Sequence, residues 1–358
     1  VLSGLVSGLS AEGFQAENHN LKKGVGMRRF GSFLFIGLML AMVNLTGCSI
    51  SYTLNEPSLS SIGYEAHGLP ETRVVIVDKR SGLDQSFTIG KIGFASEHDD
   101  ISKLISFKNV EDPAVYLAQH LEKELRQRGI PAAVSVGGEQ AGAVLLEVDR
   151  YQIVNYRATG FSPWEACHVF AGTIVHDGRQ MPIKSYFYNG KVPVWSIDEI
   201  KEPCFEIPSS LMIQDIASKL NRAVFQLKAS DQVVAQLVTE TDQLLAAEAF
   251  GDSVWKVMEL GSTNNAGALE PLKGYTQQGD ELVRSTALSA LGLVATQSDL
   301  GFLQERYRST EFNEKYLAIK AIGDVGSPDA VSFIRGLKSE EIYTSEGGFA
   351  TVVDLYGN

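Results

Sequence analysis

Cys167, His168, His176 and Cys204 come nearest, in this 358-residue chain, to a reactive or metal-binding set. Two thiols with two imidazoles are a zinc donor set, and a thiol beside an imidazole is the start of a nucleophile and base pair. The spacing argues against both. Cys167 and His168 are neighbours, so on a strand they point to opposite faces, whereas metal pairs usually stand two to four residues apart. No third orienting group accompanies the couple, and no G-x-S-x-G, P-loop or dinucleotide fingerprint occurs. His98, Asp99 and Asp100 cluster as a solvated loop would, and Lys79 and Arg80 stand at a turn, where basic residues are usually just hydrated. Trp164 beside Pro163, with Tyr186, Phe187, Tyr188 and Trp195, offers aromatic faces to a glycan or peptide groove. Alternation along strands sends about half of such residues into a core, so Trp164, Tyr186, Tyr188 and Trp195 stand as the candidate ligand-facing set. The expectation is no catalytic residue, no metal and no cofactor.

The stretch that decides where these residues live is Met27 to Cys48, MRRFGSFLFIGLMLAMVNLTGC. Arg28 and Arg29 precede an apolar run, Phe30 to Val43, of about 14 residues, the length of a signal-peptide core rather than of the ~20 a spanning helix needs. Leu45-Thr46-Gly47-Cys48 resembles the lipobox of bacterial lipoproteins. The resemblance implies cleavage before Cys48, diacylation of its sulfur and acylation (palmitate or similar) of its new amino terminus, several chains anchoring where one would not. Ser49, where an aspartate would signal inner-membrane retention, implies the outer membrane, facing the periplasm. Residues 1–26, which begin with Val1 and precede the basic pair, read as an upstream extension; 27–47 are the signal peptide.

Without the first 48 residues the 31 basic side chains lose Lys22, Lys23, Arg28 and Arg29 and the 43 acidic ones lose Glu12 and Glu17, so the net charge moves from −12 to −14. Such acidity excludes nucleic acid and protein-surface adhesion to anionic lipid as expected partners. With Cys48 lipidated, Cys167 and Cys204 remain as an even pair in an oxidising compartment, which predicts a disulfide. Closing that loop would stabilise the fold by about 3–4 kcal/mol in the chain-entropy model.

Residues 48–72, rich in Ser, Gly and Pro, read as the lipidated cysteine and a flexible tether. The β-branched run Arg73–Asp78 and the alternating Gln85–Phe94 predict strands, and Ile101–Phe107 another. Asp112 followed by Pro113 opens a helix that Gly129 closes. Residues 143–157, 165–177 and 182–194 predict an antiparallel meander, and Ser209 or Ser210 the start of a long helical region. The order makes an α+β domain over 73–245, an antiparallel-rich sheet with packed helices. Val74–Asp78 with Lys79 and Arg80, then Thr88, Ile89 and Gly90, resembles the opening of the YajG-type family of envelope lipoproteins. That resemblance implies an outer-membrane lipoprotein and brings no catalytic site with it.

Residues 246–358 turn to Ala, Leu and Gly and repeat at an offset of 31: 256–272 superpose on 287–303 and on 318–334. Val257, Leu288 and Ile319 coincide, as do Leu260, Leu291 and Ile322, and the glycines Gly261, Gly292 and Gly323. Each unit reads as a helix, a glycine-terminated turn and a second helix, and three stacked units as an all-α solenoid. Ala318–Ala330 resembles the short HEAT-like repeats of the phycobilisome lyase and related families, although Ser-Thr-Asn-Asn and Ala-Thr-Gln-Ser replace its Asp and Pro in the other copies. Lyase activity does not follow from a scaffold fold. Joined together, these readings predict a lipid-anchored, non-catalytic scaffold or adaptor binding an envelope protein. The alternative is a periplasmic module for glycan (peptidoglycan) or lipid; an envelope hydrolase is more distant.

Overall fold

β-branched runs supply the strands. In the computed structural model, which describes residues 50–64, 68–92, 105–157 and 162–358, short β1 (Ile50–Tyr52) is followed by β2 (Thr72–Asp78), whose Val74, Val75 and Ile76 are buried. Next come β3 (Thr88–Ile92), β4 (Ile105–Phe107), which pairs in parallel with β1, and α1 (Pro113–Gln127). The Asp112 carboxylate accepts from Ala114 N at 2.8 Å, Pro113 fills the first turn, and Gly129 takes φ +82° just past the end, as the punctuation predicts. β6 (Val144–Arg157), β7 (Trp164–His176) and β8 (Arg179–Lys191) run as the expected antiparallel meander. The strand order is β5-β2-β6-β7-β8, β5 being Ala132–Val136, with β3 also paired to β6. The sheet is mixed in orientation: the β6-β7-β8 meander supplies most of the paired residues as antiparallel, while β2 lies parallel to β5 and β6, and β3 parallel to β6. The α1 crossover is one cause, since it returns the chain to the sheet in the same direction.

Past β8 the chain is helical. α2 (Ile207–Leu220) continues a π-helical turn over Glu202–Glu206, and Ser209 and Ser210 are buried inside it instead of opening it. After α3 (Asp231–Ala246) come the pairs α4 (Phe250–Ser262) and α5 (Leu269–Tyr275), α6 (Glu281–Val294) and α7 (Leu300–Ser309), and α8 (Phe312–Val325) and α9 (Pro328–Gly336). α10 (Glu341–Ser345) and α11 (Gly347–Gly357) end the stack. α4 packs on α6, α6 on α8, and α8 on α11. The repeat register holds throughout: Val257, Leu288 and Ile319, Leu260, Leu291 and Ile322, and Leu272, Leu303 and Ile334 are all fully buried. The fold is α+β followed by an all-α helical-repeat solenoid.

Two features depart from expectation. The composition change near residue 245 marks a change of architecture inside one body, since Ser49–Asn358 form a single compact unit. The expected flexible tether is, over 50–64, a strap bound across the fold. Tyr52, Leu54, Ile62 and Tyr64 are buried. Ser58 N donates to Ser210 Oγ at 3.1 Å in α2, Ser60 N to Glu124 Oε2 at 3.0 Å in α1, and Ser61 Oγ to Glu259 Oε2 at 2.8 Å in α4. Beyond β1 several of its backbone groups are satisfied by side chains of other elements, so an irregular, Ser-rich segment is held without regular secondary structure. Cys48 and the leader before it, and His98, Asp99 and Asp100, lie outside the described residues.

Candidate functional site

Strand alternation distributes the Cys and His residues. His168 faces α2, where its Nε2 donates to the Cys204 carbonyl at 2.8 Å and Nδ1 accepts from Ser209 Oγ at 3.4 Å. Cys167 faces the other way, toward α11, and its Sγ accepts from Tyr186 OH at 3.4 Å, a hydroxyl that also donates to Gly348 O at 3.0 Å. Cys204, in the π-helical turn on the His168 side, sets its thiol toward Trp164 O at 3.6 Å. The two cysteines are therefore free, buried thiols and not the expected disulfide, because the strand separates them. Burial pushes both thiols up to about 12, and it pulls His168 down to about 4 despite the carbonyl partner. His176 lies eight residues further along β7, on the order of 26 Å away, beside Asp177. Among the described residues no three His, Cys, Asp or Glu side chains converge as a metal site requires. The Ser209–His168 couple was not anticipated; a nucleophile-like geometry exists, but both residues are buried.

The aromatic set divides the same way. Trp164 is buried with its Nε1 donating to Asn155 Oδ1 at 2.9 Å, and Tyr186 is fully buried, so neither faces a ligand. Tyr188 is half-buried, with its ring edge-on to Tyr316 at 4.8 Å. Trp195 alone is open, at 93% exposure. The expected groove is replaced by core, since β7 and β8 are covered by helices on both faces. An open apolar cleft of about 290 Å³, including solvent at its mouth, lies between β8, α2 and the repeats, lined by Phe187, Tyr188, Pro208, Leu211, Leu282 and Leu317. His168 and Ser209 do not open into it.

The sheet half and the repeats meet through buried charge. Lys320 of α8, fully buried, donates to Asp215 of α2 at 2.8 Å and to Asp324 at 2.7 Å, and Lys219 of α2 reaches the same two carboxylates at 2.7 Å each. Burial raises Asp215, but Lys219 and Lys320 outweigh it and hold the carboxyl below its usual range; burial lowers Lys320, and Asp215 and Asp324 outweigh that in turn. Tyr356 OH, from α11, donates to Asp324 Oδ1 at 3.1 Å. The pattern leaves a trace in the sequence: Asp215 and Lys219, and Lys320 and Asp324, are i,i+4 pairs set among apolar neighbours. A second buried pair, Arg128 Nε with Glu124 Oε1 at 2.6 Å, ties α1 to Ser218 of α2 at 2.7 Å.

Gly261, Gly292 and Gly323 do not form turns. Each lies within a helix, one or two residues before its end, at negative φ. A Cβ on Gly261 would meet Ala290 O at 2.6 Å, on Gly292 the Ala321 Cα at 2.9 Å, and on Gly323 it would run into the Tyr356 ring. They are the points where each first helix presses on the next.

No family model and no curated protein matches the chain. Among solved structures it is similar to an uncharacterized protein, 11% identical over 49% of this chain and 99% of that one, with a TM-score of 0.31. It is also similar to the Xanthomonas campestris protein XCC0632 of family DUF330, 13% identical over 48% and 89%, with a TM-score of 0.25. At these scores neither neighbour transfers a fold or a role.

Proposed function

We propose that this chain is an outer-membrane lipoprotein, lipidated on Cys48, whose folded part is a non-catalytic scaffold for envelope proteins, with a YajG-like sheet half and HEAT-like repeats. The observation that carries the reading is the strap. Ser58, Ser60 and Ser61, in the segment that follows the lipobox, are bonded to α2, α1 and α4, so an acyl anchor at Cys48 would hold sheet and repeats together close to the bilayer. Among the described residues no helix is long and apolar enough to cross a membrane. Support for a non-catalytic role comes from the burial of His168, Ser209, Cys167 and Cys204. Residues 246–358 present no exposed large hydrophobic side chain among those described, so a partner on the repeats would be met by polar contacts around Glu305 and Arg308. The glycan reading loses Trp164 and Tyr186 as ligand contacts.

Mass spectrometry of the amino-terminal peptide from envelopes tests the anchor, with three acyl chains on Cys48 expected. A photo-crosslinking residue at Glu305 or Arg308 is expected to capture a discrete envelope protein, while one at Arg179, at the β7–β8 turn, captures none. Unmodified Cys48 would overturn the anchor, and adducts restricted to Arg179 would overturn the scaffold surface.

A further inference from the structure

The loop Val192–Ser196 after β8 carries Val192, Val194 and Trp195 at 41%, 66% and 93% exposure. It is not loose. The Glu199 carboxylate accepts the N–H groups of Val194, Trp195 and Ser196 at 3.0, 2.7 and 3.1 Å, and Ser196 Oγ accepts from Asp198 N at 3.1 Å, a closed capping box. The N–H groups of Val194 and Trp195 draw the Glu199 carboxyl below its usual range, so the cap stays ionised and formed. An indole is thus held outward on a braced turn, at a hydration cost that nothing among the described residues relieves.

Its position says what relieves it. Tyr52 OH donates to Ile197 O at 3.0 Å, and the Tyr52 ring packs 5.8 Å from Phe205, so β1 is fixed beside this loop. Cys48 precedes Tyr52 by four residues, at most about 14 Å of extended chain. Acyl chains on Cys48 would enter the bilayer within a short reach of Trp195. Tryptophan favours the headgroup level, where an apolar ring and a polar N–H are both accommodated. The charges around the loop, Lys191 and Lys201 against Asp198, Glu199 and Glu202, leave a net −1, a small charge that suits a zwitterionic surface.

We propose that Trp195 and Val194 enter the phospholipid interface and seat the folded unit on the bilayer, a contact that rests on the anchor reading above. The test uses the chain from Cys48 onward, its thiol coupled to maleimide lipid in phosphatidylcholine vesicles; Cys167 and Cys204 are buried and do not compete. Fluorescence of the wild type less that of Trp195→Phe isolates this indole from Trp164 and Trp255. Brominated acyl chains are expected to quench most of that difference, and its quenching by iodide to fall severalfold on tethering. A Trp195 signal untouched by brominated lipid and still open to iodide overturns the proposal. Shielding that appears without vesicles and grows with protein concentration overturns it in favour of a second copy. Because the coupling is chemical, this result and the mass of native Cys48 can fail independently.

Discussion

Two buried polar clusters sit on neighbouring parts of this molecule and solve the same problem differently. Around β7, His168, Cys167 and Cys204 are buried as neutral groups, each with a hydrogen bond and a displaced pKa. Where α2 meets α8, Asp215, Lys219, Lys320 and Asp324 are buried as charges, two of each sign. A strand offers one side chain per face at each step, so a lone titratable group there has carbonyls and hydroxyls for company and sheds its charge. Two facing helices offer i,i+4 pairs, so four long side chains can meet and keep theirs. The charged cluster joins sheet to repeats, and the neutral one only fills the sheet.

The comparison predicts unequal damage. Lys320→Met leaves Asp215 and Asp324 with Lys219 alone and should lower stability by about 3–5 kcal/mol, read from the denaturant midpoint; adding Asp215→Asn should recover part of it. A neutral loss at Lys320 would break the contrast.

The neutral cluster should instead answer to pH. His168 titrates near 4 when folded and at its ordinary 6.5 when unfolded, so between these values the unfolded chain binds more protons. Its burial is fully tolerated above pH 6.5 and penalised progressively as pH falls toward 4, by about 3 kcal/mol in all. His168→Gln should flatten that part of the acid limb in pH-dependent unfolding, and an unchanged limb would place the proton elsewhere.

Smaller effects belong to the repeat seam. Gly261→Ala and Gly292→Ala press a methyl into the backbone of the next helix and should each cost about 1–3 kcal/mol by thermal or chemical unfolding. If they acted as turns at positive φ, asparagine would be tolerated better than alanine; within packed helices it should be worse. The smallest expected effect is that of reductant. With Cys167 and Cys204 as free thiols, dithiothreitol should leave the unfolding midpoint unmoved, whereas loss of a disulfide would cost about 3 kcal/mol.

The patterns that were legible are those in which neighbours in sequence are neighbours in space. The α1 caps, the meander and the 31-residue repeat follow from local punctuation and from apolar spacing, and the nine aligned apolar positions are all buried. The glycine positions were visible but their role was not, since a helix-terminating glycine and one under a crossing helix look alike along the chain. The strap is not legible for a similar reason: Ser, Gly and Pro mark missing periodicity, and whether such a segment is loose depends on partners such as Glu124, Ser210 and Glu259, which lie 64 to 198 residues away.

Sequence by itself determined the capped helix α1, the meander strands, the repeat register and the lipobox-like stretch, because each is set by side chains within a few turns of one another. Tertiary structure alone decided that Cys167 and Cys204 stand apart on opposite sides of a strand, that Asp215 and Lys320 meet, and that Trp164 is core while Trp195 is bare. Those outcomes depend on which faces of separate elements are brought together, and packing, not local spacing, sets that.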